Sequence, residues 1–196
     1  MQTDARYRST GTLVGLECDD DRNLYVTIAN NGLMDAALGG RLYAAANQAA
    51  VATTAALAGT WTGLCISNPT GNSKNFVMHE FSWGMSVVGS DDGAVGLITC
   101  TIAAPASVIT SINQYRGGAA STAYVDDGAT IVGGALIRPC GDYGTGATNL
   151  IVSTGPHVID LKGGIVLTPG YTLATYTTTA TTAAFVFGFV WEEVDV

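Results

Sequence analysis

From Trp61 onward, apolar and polar positions alternate in short runs broken by Gly, Asp, Asn and Pro. That period-2 pattern predicts strands over Thr62 to Asn68, Lys74 to Met85, Ala94 to Ile102, Thr130 to Ile137 and Ala147 to Ser153. Further strands are predicted over His157 to Leu161, Ile165 to Leu167, Tyr171 to Thr177 and Phe185 to Glu193. The first two runs, joined by Pro69-Thr70-Gly71-Asn72-Ser73, read as a hairpin. Asp91-Asp92-Gly93 and Asp126-Asp127-Gly128 read as turns. Thr168-Pro169-Gly170-Tyr171 suits a type II turn, because Pro presets φ at its second position and Gly supplies positive φ at its third. Short strands at this spacing, with no convincing helix, indicate an all-β sandwich or barrel, and the strand count suits a jelly roll.

The last strand breaks the usual rule of one apolar and one polar face. Phe185, Phe187, Phe189 and Trp191 share one face, while Val186, Gly188, Val190 and Glu192 share the other. Both faces are apolar until Glu192, so cover is expected on both sides. Phe187, Phe189 and Trp191 are assigned to the domain core, and Val186 and Val190 to contact with another subunit.

Residues 1–60 read differently, as an N-terminal extension to a domain spanning 61–196. Thr12 to Glu17 and Leu24 to Ala29 flank an Asp-rich turn and predict a short hairpin, and Asn30-Asn31-Gly32 is a turn signal. Leu38 to Leu57 is Ala-rich with roughly helical apolar spacing. Ala buries little area, so this stretch is read as an arm lying along something else.

Composition then narrows the function. The chain has 196 residues, 47% hydrophobic and 12% charged, with only 8 Lys plus Arg. Charge this sparse implies burial in an assembly or solvation by neutral hydroxyls, of which the chain has many. A net charge of −8 argues against a nucleic-acid surface, which needs clustered cations. No apolar run is long enough for a membrane span, and MQTDARYRST lacks the apolar segment of a signal peptide. Cys18, Cys65, Cys100 and Cys140 are far apart and lack zinc-ligand spacing, so they read as reduced core thiols.

Candidate chemistry is sparse. Pro69 to Lys74 lacks the spacing of a phosphate-binding loop. Asp19, Asp21 and Asn23 begin a calcium-loop pattern, but Leu24 stands where Gly is needed and Asn30 where a bidentate Glu is needed. His79 alternates with Val77, Phe81 and Trp83 and is read as facing the core or an interface; His157 opens a strand within reach of Asp160. Glu192 and Glu193 point to opposite faces, the wrong geometry for a catalytic pair. No catalytic, metal or cofactor residue is assigned, and the chain is read as a non-enzyme. Tyr7, Trp61, Tyr115, Tyr124 and Tyr143 could line a glycan surface, although aromatics in sandwiches more often anchor cores or interfaces.

Two stretches carry a resemblance. TGLCISNPTGNSKNFVMHEFSWG resembles a recurring first hairpin of small jelly-roll proteins of tailed-phage particles, and GGIVLTPGYTLATYTTTATTAAFVFGFVWEEV is similar to their closing strands. The likeness covers about Thr60 to Val196. It implies a homotrimeric decoration, or cement, protein on the virion surface, made in the host cytoplasm and partnered by itself and the major capsid protein. It brings no catalytic residue and no cofactor. A related receptor-binding trimer that recognises a host-surface glycan is the alternative.

Overall fold

The computed structural model describes residues 5–9, 12–18, 24–26, 32–54, 57, 59–87, 92–102, 106–144 and 156–196. They form two compact units, residues 1–35 and 36–196. In the first unit β1 (Ala5–Ser9), β2 (Thr12–Cys18) and β3 (Leu24–Val26) form an antiparallel three-stranded sheet in chain order. The hairpin expected around the Asp-rich turn is the β2–β3 pair, with Cys18 opposite Leu24. A seven-residue helix, α1 (Gly32–Leu38), follows where only a turn was expected. It stops at Gly40, whose φ of 68° lets the N–H groups of Gly40 and Arg41 close onto the carbonyls of Ala37 and Ala36.

The remaining strands are β4 (Leu42–Ala46), β5 (Val51–Ala52), β6 (Thr60–Ser67), β7 (Lys74–Val87), β8 (Gly93–Ile102) and β9 (Ile112–Asn113). They continue with β10 (Tyr124–Tyr143), β11 (His157–Leu167), β12 (Thr172–Thr177) and β13 (Ala184–Asp195). One sheet runs β11-β7-β13-β4-β9, with β5 also on β13. In the other, β10 pairs with β6 through Tyr124–Thr130 and with β8 through Ile131–Tyr143, closing β10-β6-β12-β8 into a small barrel. Phe76, Phe81, Phe187 and Trp191 from the first sheet meet Leu64, Ile66, Leu97 and Leu173 from the second in one buried cluster. This is an all-β sandwich.

The barrel has its own core. Trp61 and Cys65 of β6, Ile98 and Cys100 of β8, Ile131 of β10 and Ala174 of β12 form a second cluster. Hence β6, β8 and β12 are buried on both faces by their own chain, one face in each cluster. Several hydroxyls are also internal: Thr172 bonds Ser67 at 2.7 Å, and Thr53 bonds Thr177 at 2.6 Å and Thr181 at 3.0 Å. Part of the Thr content therefore seals the core rather than solvating the surface.

Several sequence expectations change. β6 and β7 do not pair; the turn between them carries the chain from one sheet to the other, so the expected hairpin is a corner. Asn68 pins that corner, donating from Nδ2 to the carbonyls of Lys74 and Leu167, both at 2.8 Å. The Pro169-Gly170 turn is likewise a corner between β11 and β12, with Gly170 at φ 91° and Tyr171 N–H on Thr168 O at 3.2 Å. Asp126-Asp127-Gly128 lies within β10, opposite a bulge of β6 in which Gly63 and Leu64 stand against the single Asp127, and Asp126 Oδ1 accepts from Gly128 N–H. The two expected strands at His157 and Ile165 are one strand, bulged between Asp160 and Ile165. The Ala-rich stretch is no separate arm: β4 pairs with β13 along Ala46–Leu42, and Tyr43 stacks on Trp191 with centroids 6.0 Å apart. Small Ala side chains fit a sheet position beside large neighbours, and that packing outweighs helix propensity. The strand expected over Ala147 to Ser153 lies outside the described residues.

Candidate functional site

The closing strand lies at the centre of the first sheet, between β7 and β4. Phe185, Phe187, Phe189 and Trp191 face inward and are buried. Phe187 and Phe189 both pack on Phe81, at centroid distances of 6.2 and 5.4 Å. The other face stays open within one chain: Val186 is 39% and Val194 38% exposed, and Val190 is half-buried. Among the described residues of the larger unit no strand packs over this face, in contrast to β6, β8 and β12.

The register shows what surrounds that face. Val158, Ser82, Gly188 and Ala46 lie in one row across β11, β7, β13 and β4. Asp160, Glu80, Val190, Ala44 and Ile112 make the next, and Val166, Val77, Glu192 and Leu42 a third. Val158, Val166 and Ile112 are well exposed, whereas the middle of the rows is small: Ala44, Ala46, Ser82 and Gly188. The result is a flat, Val-rich surface with a shallow hollow of about 280 Å³ over Ala44, Ala46, Ser82 and Gly188, edged by Gln48 and Arg116.

Besides Asp160 and Glu80 in the middle row, charge gathers at one end of the face. Arg41 donates from Nε and Nη2 to Glu192 Oε1, both at 3.0 Å, and His79 Nε2 stands 3.5 Å from Glu192 Oε2 without a hydrogen-bond partner. A bulge at His79–Glu80 reverses the phase of β7, so His79 lies outward with Val77 while Phe81 and Trp83 point inward. Simple alternation had put all four on one face.

Glu193, one residue on, belongs to a different network. Its side chain is fully buried, with Lys74 Nζ at 3.1 Å, Ser121 Oγ at 2.6 Å, Thr122 N at 2.8 Å and Thr122 Oγ1 at 3.1 Å. Burial opposes the Lys74 charge, but the hydrogen bond and charge of Glu193 prevail and hold its pKa above the ordinary value. This carboxylate fastens the loop before β10 to the last strand. Each of its two oxygens accepts from two of these donors, so the carboxylate is saturated.

The chain matches no protein-family model, no curated protein and no solved structure.

Other candidate residues are scattered. Trp61 and Tyr143 are buried, which removes them from any glycan surface, and Trp61 Nε1 is tied to Thr175 O at 2.9 Å. Tyr115 and Tyr124 are exposed at 52% and 38%; Tyr7 lies outside the residues whose side chains are described. His157 stacks on Trp83 with centroids 4.1 Å apart. Cys65, Cys100 and Cys140 are free thiols; burial raises the pKa of all three, Cys100 and Cys140 to about 11. Among the described residues no cluster of His, Cys, Asp or Glu could hold a metal, and no helix is long and apolar enough to cross a membrane. Asp19, Asp21 and Asn23 lie outside the described residues.

Sequence reasoning missed Arg138 and Tyr171. They line a cleft of about 600 Å³ with Thr99, Ile137 and the run Gly164 to Thr168. Arg138 sits in the interior of a long strand and Tyr171 beside a turn, and no local pattern joins them.

Proposed function

We propose that this chain is a non-enzymatic structural protein of a phage virion, a homotrimer that decorates the head and stabilises it through the major capsid protein. The observation that carries the proposal is the open, Val-rich outer face of β13. A central strand with aromatic residues on one side and Val186, Val190 and Val194 on the other has an apolar surface that a single chain leaves in water. Neighbouring copies would cover it, with Arg41, His79 and Glu192 forming the polar rim common at such interfaces. Three copies, rather than two, come from the resemblance to decoration proteins.

Topology supports the jelly-roll part of the reading. Number β4, β6, β7, β8, β10, β11, β12 and β13 from one to eight: one sheet then takes the order 1-8-3-6 and the other 2-7-4-5. Two nested Greek keys give that order, and viral capsid domains are among the proteins built this way. Labelling of purified particles with gold-tagged antibody tests the location: signal over the head supports the proposal, and signal confined to the tail tip contradicts it.

The second reading, recognition of a host glycan, draws support from exposed Tyr115 and Tyr124 near the loop before β10. Purified protein that competes with particles for host adsorption would favour it over the decoration reading.

A further inference from the structure

The open flank of the sandwich has unpaired strand edges facing a cleft. Among the described residues β11 pairs as a strand only with β7, and the Ile131–Tyr143 half of β10 only with β8, its other edge being met at single points by Gly59 O on Ile131 N–H and Trp83 Nε1 on Cys140 O. The cleft of about 600 Å³ lies between them. Five consecutive residues of one wall, Gly164 to Thr168, line it, so it runs along the edge of β11 rather than over one of its faces. Main-chain groups alternate in direction along an antiparallel strand. The Leu167 carbonyl is turned to the inner side, where Asn68 Nδ2 donates to it at 2.8 Å, so the N–H and carbonyl of Val166 are turned to the free edge.

The two halves of β11 are guarded differently. Between Asp160 and Ile165 the bulge, with Lys162 at φ 51° and Gly163 at φ 70°, twists the edge out of pairing shape. Ile165 to Leu167 carry no such device and open into the cleft. Opposite them, Ile137 is 44% exposed and Arg138 half-buried. No ion pair or side-chain hydrogen bond engages Arg138 among the described residues, in a chain with 16 acidic and 8 basic residues. Tyr171, 53% exposed, closes the end on a turn whose backbone is tied twice to Asn68.

We infer that this cleft receives an extended segment of a partner protein, which adds as a strand to Ile165–Leu167 and places a carboxylate against Arg138. Strand addition supplies main-chain hydrogen bonds, and the apolar walls and the guanidinium supply selectivity. A second copy pairing symmetrically through β11 fits less well. Neither Lys162–Tyr171 nor Ile131–Gly141 contains Asp or Glu, so both arginines would be left without an anion. The inference holds whether or not the chain trimerises through β13.

The test uses the full chain and fluorescein-labelled, end-blocked peptides of about eight residues, roughly a strand's length, with alternating Thr and Val. One carries a central Glu, one Gln in its place, and one the Glu with alternate backbone nitrogens methylated. Fluorescence polarisation should give saturable binding of the Glu peptide, about tenfold weaker binding of the Gln peptide, and none of the methylated one. Arg138→Gln should bring the Glu peptide down to the level of the Gln peptide while leaving the latter unchanged. A thermal melt shows whether that variant is folded; if it is not, Arg138→Lys, which keeps charge but loses the fork, should give an intermediate affinity. Equal binding of all three peptides, no binding of any, or saturable binding of acidic oligosaccharide in place of peptide would overturn the inference.

Discussion

Replacing Glu193 by Ala removes the acceptor on which the last strand, β7 and the loop before β10 converge. Four donor groups lose it: Lys74 Nζ, Ser121 Oγ, Thr122 N–H and Thr122 Oγ1. The main-chain donor, left without a partner in a buried place, costs about 1–3 kcal/mol. Breaking a fully buried ion pair costs roughly 3–5 kcal/mol, but the Lys74 side chain is 30% exposed and regains water, so most of that is discounted. The two hydroxyls can rotate towards other acceptors. The net expectation is about 2–4 kcal/mol for Glu193→Ala and about 1 kcal/mol for Glu193→Gln, which keeps one acceptor oxygen. Urea unfolding followed by Trp fluorescence is a suitable assay, because Trp61, Trp83 and Trp191 are all buried in the larger unit. Protein concentration must be fixed, since assembly adds to apparent stability. A local signal accompanies the global one: trypsin should cut after Arg116 faster in the Ala variant, because the loop has lost its anchor. An Ala variant within about 0.5 kcal/mol of the parent, cut no faster, would refute the anchoring role.

Other expectations follow from the same packing. Trp191→Ala should cost roughly 3–5 kcal/mol by the same urea assay, whereas Trp191→Phe should cost less, because the indole N–H has no hydrogen-bond partner to lose. Iodoacetamide at pH 8 with peptide mapping should leave Cys65 and Cys100 unmodified in the folded chain and label both in urea; a pKa of about 11 leaves Cys100 about one part in a thousand thiolate at that pH. Lys74 has a folded pKa above its ordinary 10.5, so its pair with Glu193 contributes fully below 10.5 and is lost as pH rises through the folded value. The urea midpoints of the parent and Lys74→Met should therefore converge as pH rises above 10.5, and a gap that stays constant would exclude the ion pair as its source.

Much of the fold was written in local pattern. Strand positions followed from alternation, and the Pro169-Gly170 turn from residues whose φ preferences leave little choice. The inward face of β13 was legible because four aromatic residues at spacing two admit one burial pattern. Connectivity between sheets was not. A five-residue link after Asn68 looks alike whether the chain folds back on its own sheet or crosses to the other, and long-range bonds of the Asn68 side chain mark the difference. Bulges at His79–Glu80 in β7 and at Gly63–Leu64 in β6 each insert one residue, which period-2 counting cannot register. The Ala-rich β4 was hidden for a related reason: its strand state comes from Trp191 and Phe189, more than 140 positions later. The open outer face of β13 was visible as an anomaly of pattern, whereas the cleft at Arg138 needed the fold to bring β10, β11 and a turn together.

Sedimentation equilibrium of the purified chain, beside its Val190→Asp variant, bears most directly on assembly through β13. Three chains of 20.1 kDa give a particle of about 60 kDa, which the parent should show. Val190→Asp, which adds a carboxylate directly beside Glu80 on the outer face, should sediment as a folded single chain with Trp emission unchanged. A parent that is monomeric at all concentrations, or a Val190→Asp variant that remains a trimer, would contradict assembly through the outer face of β13.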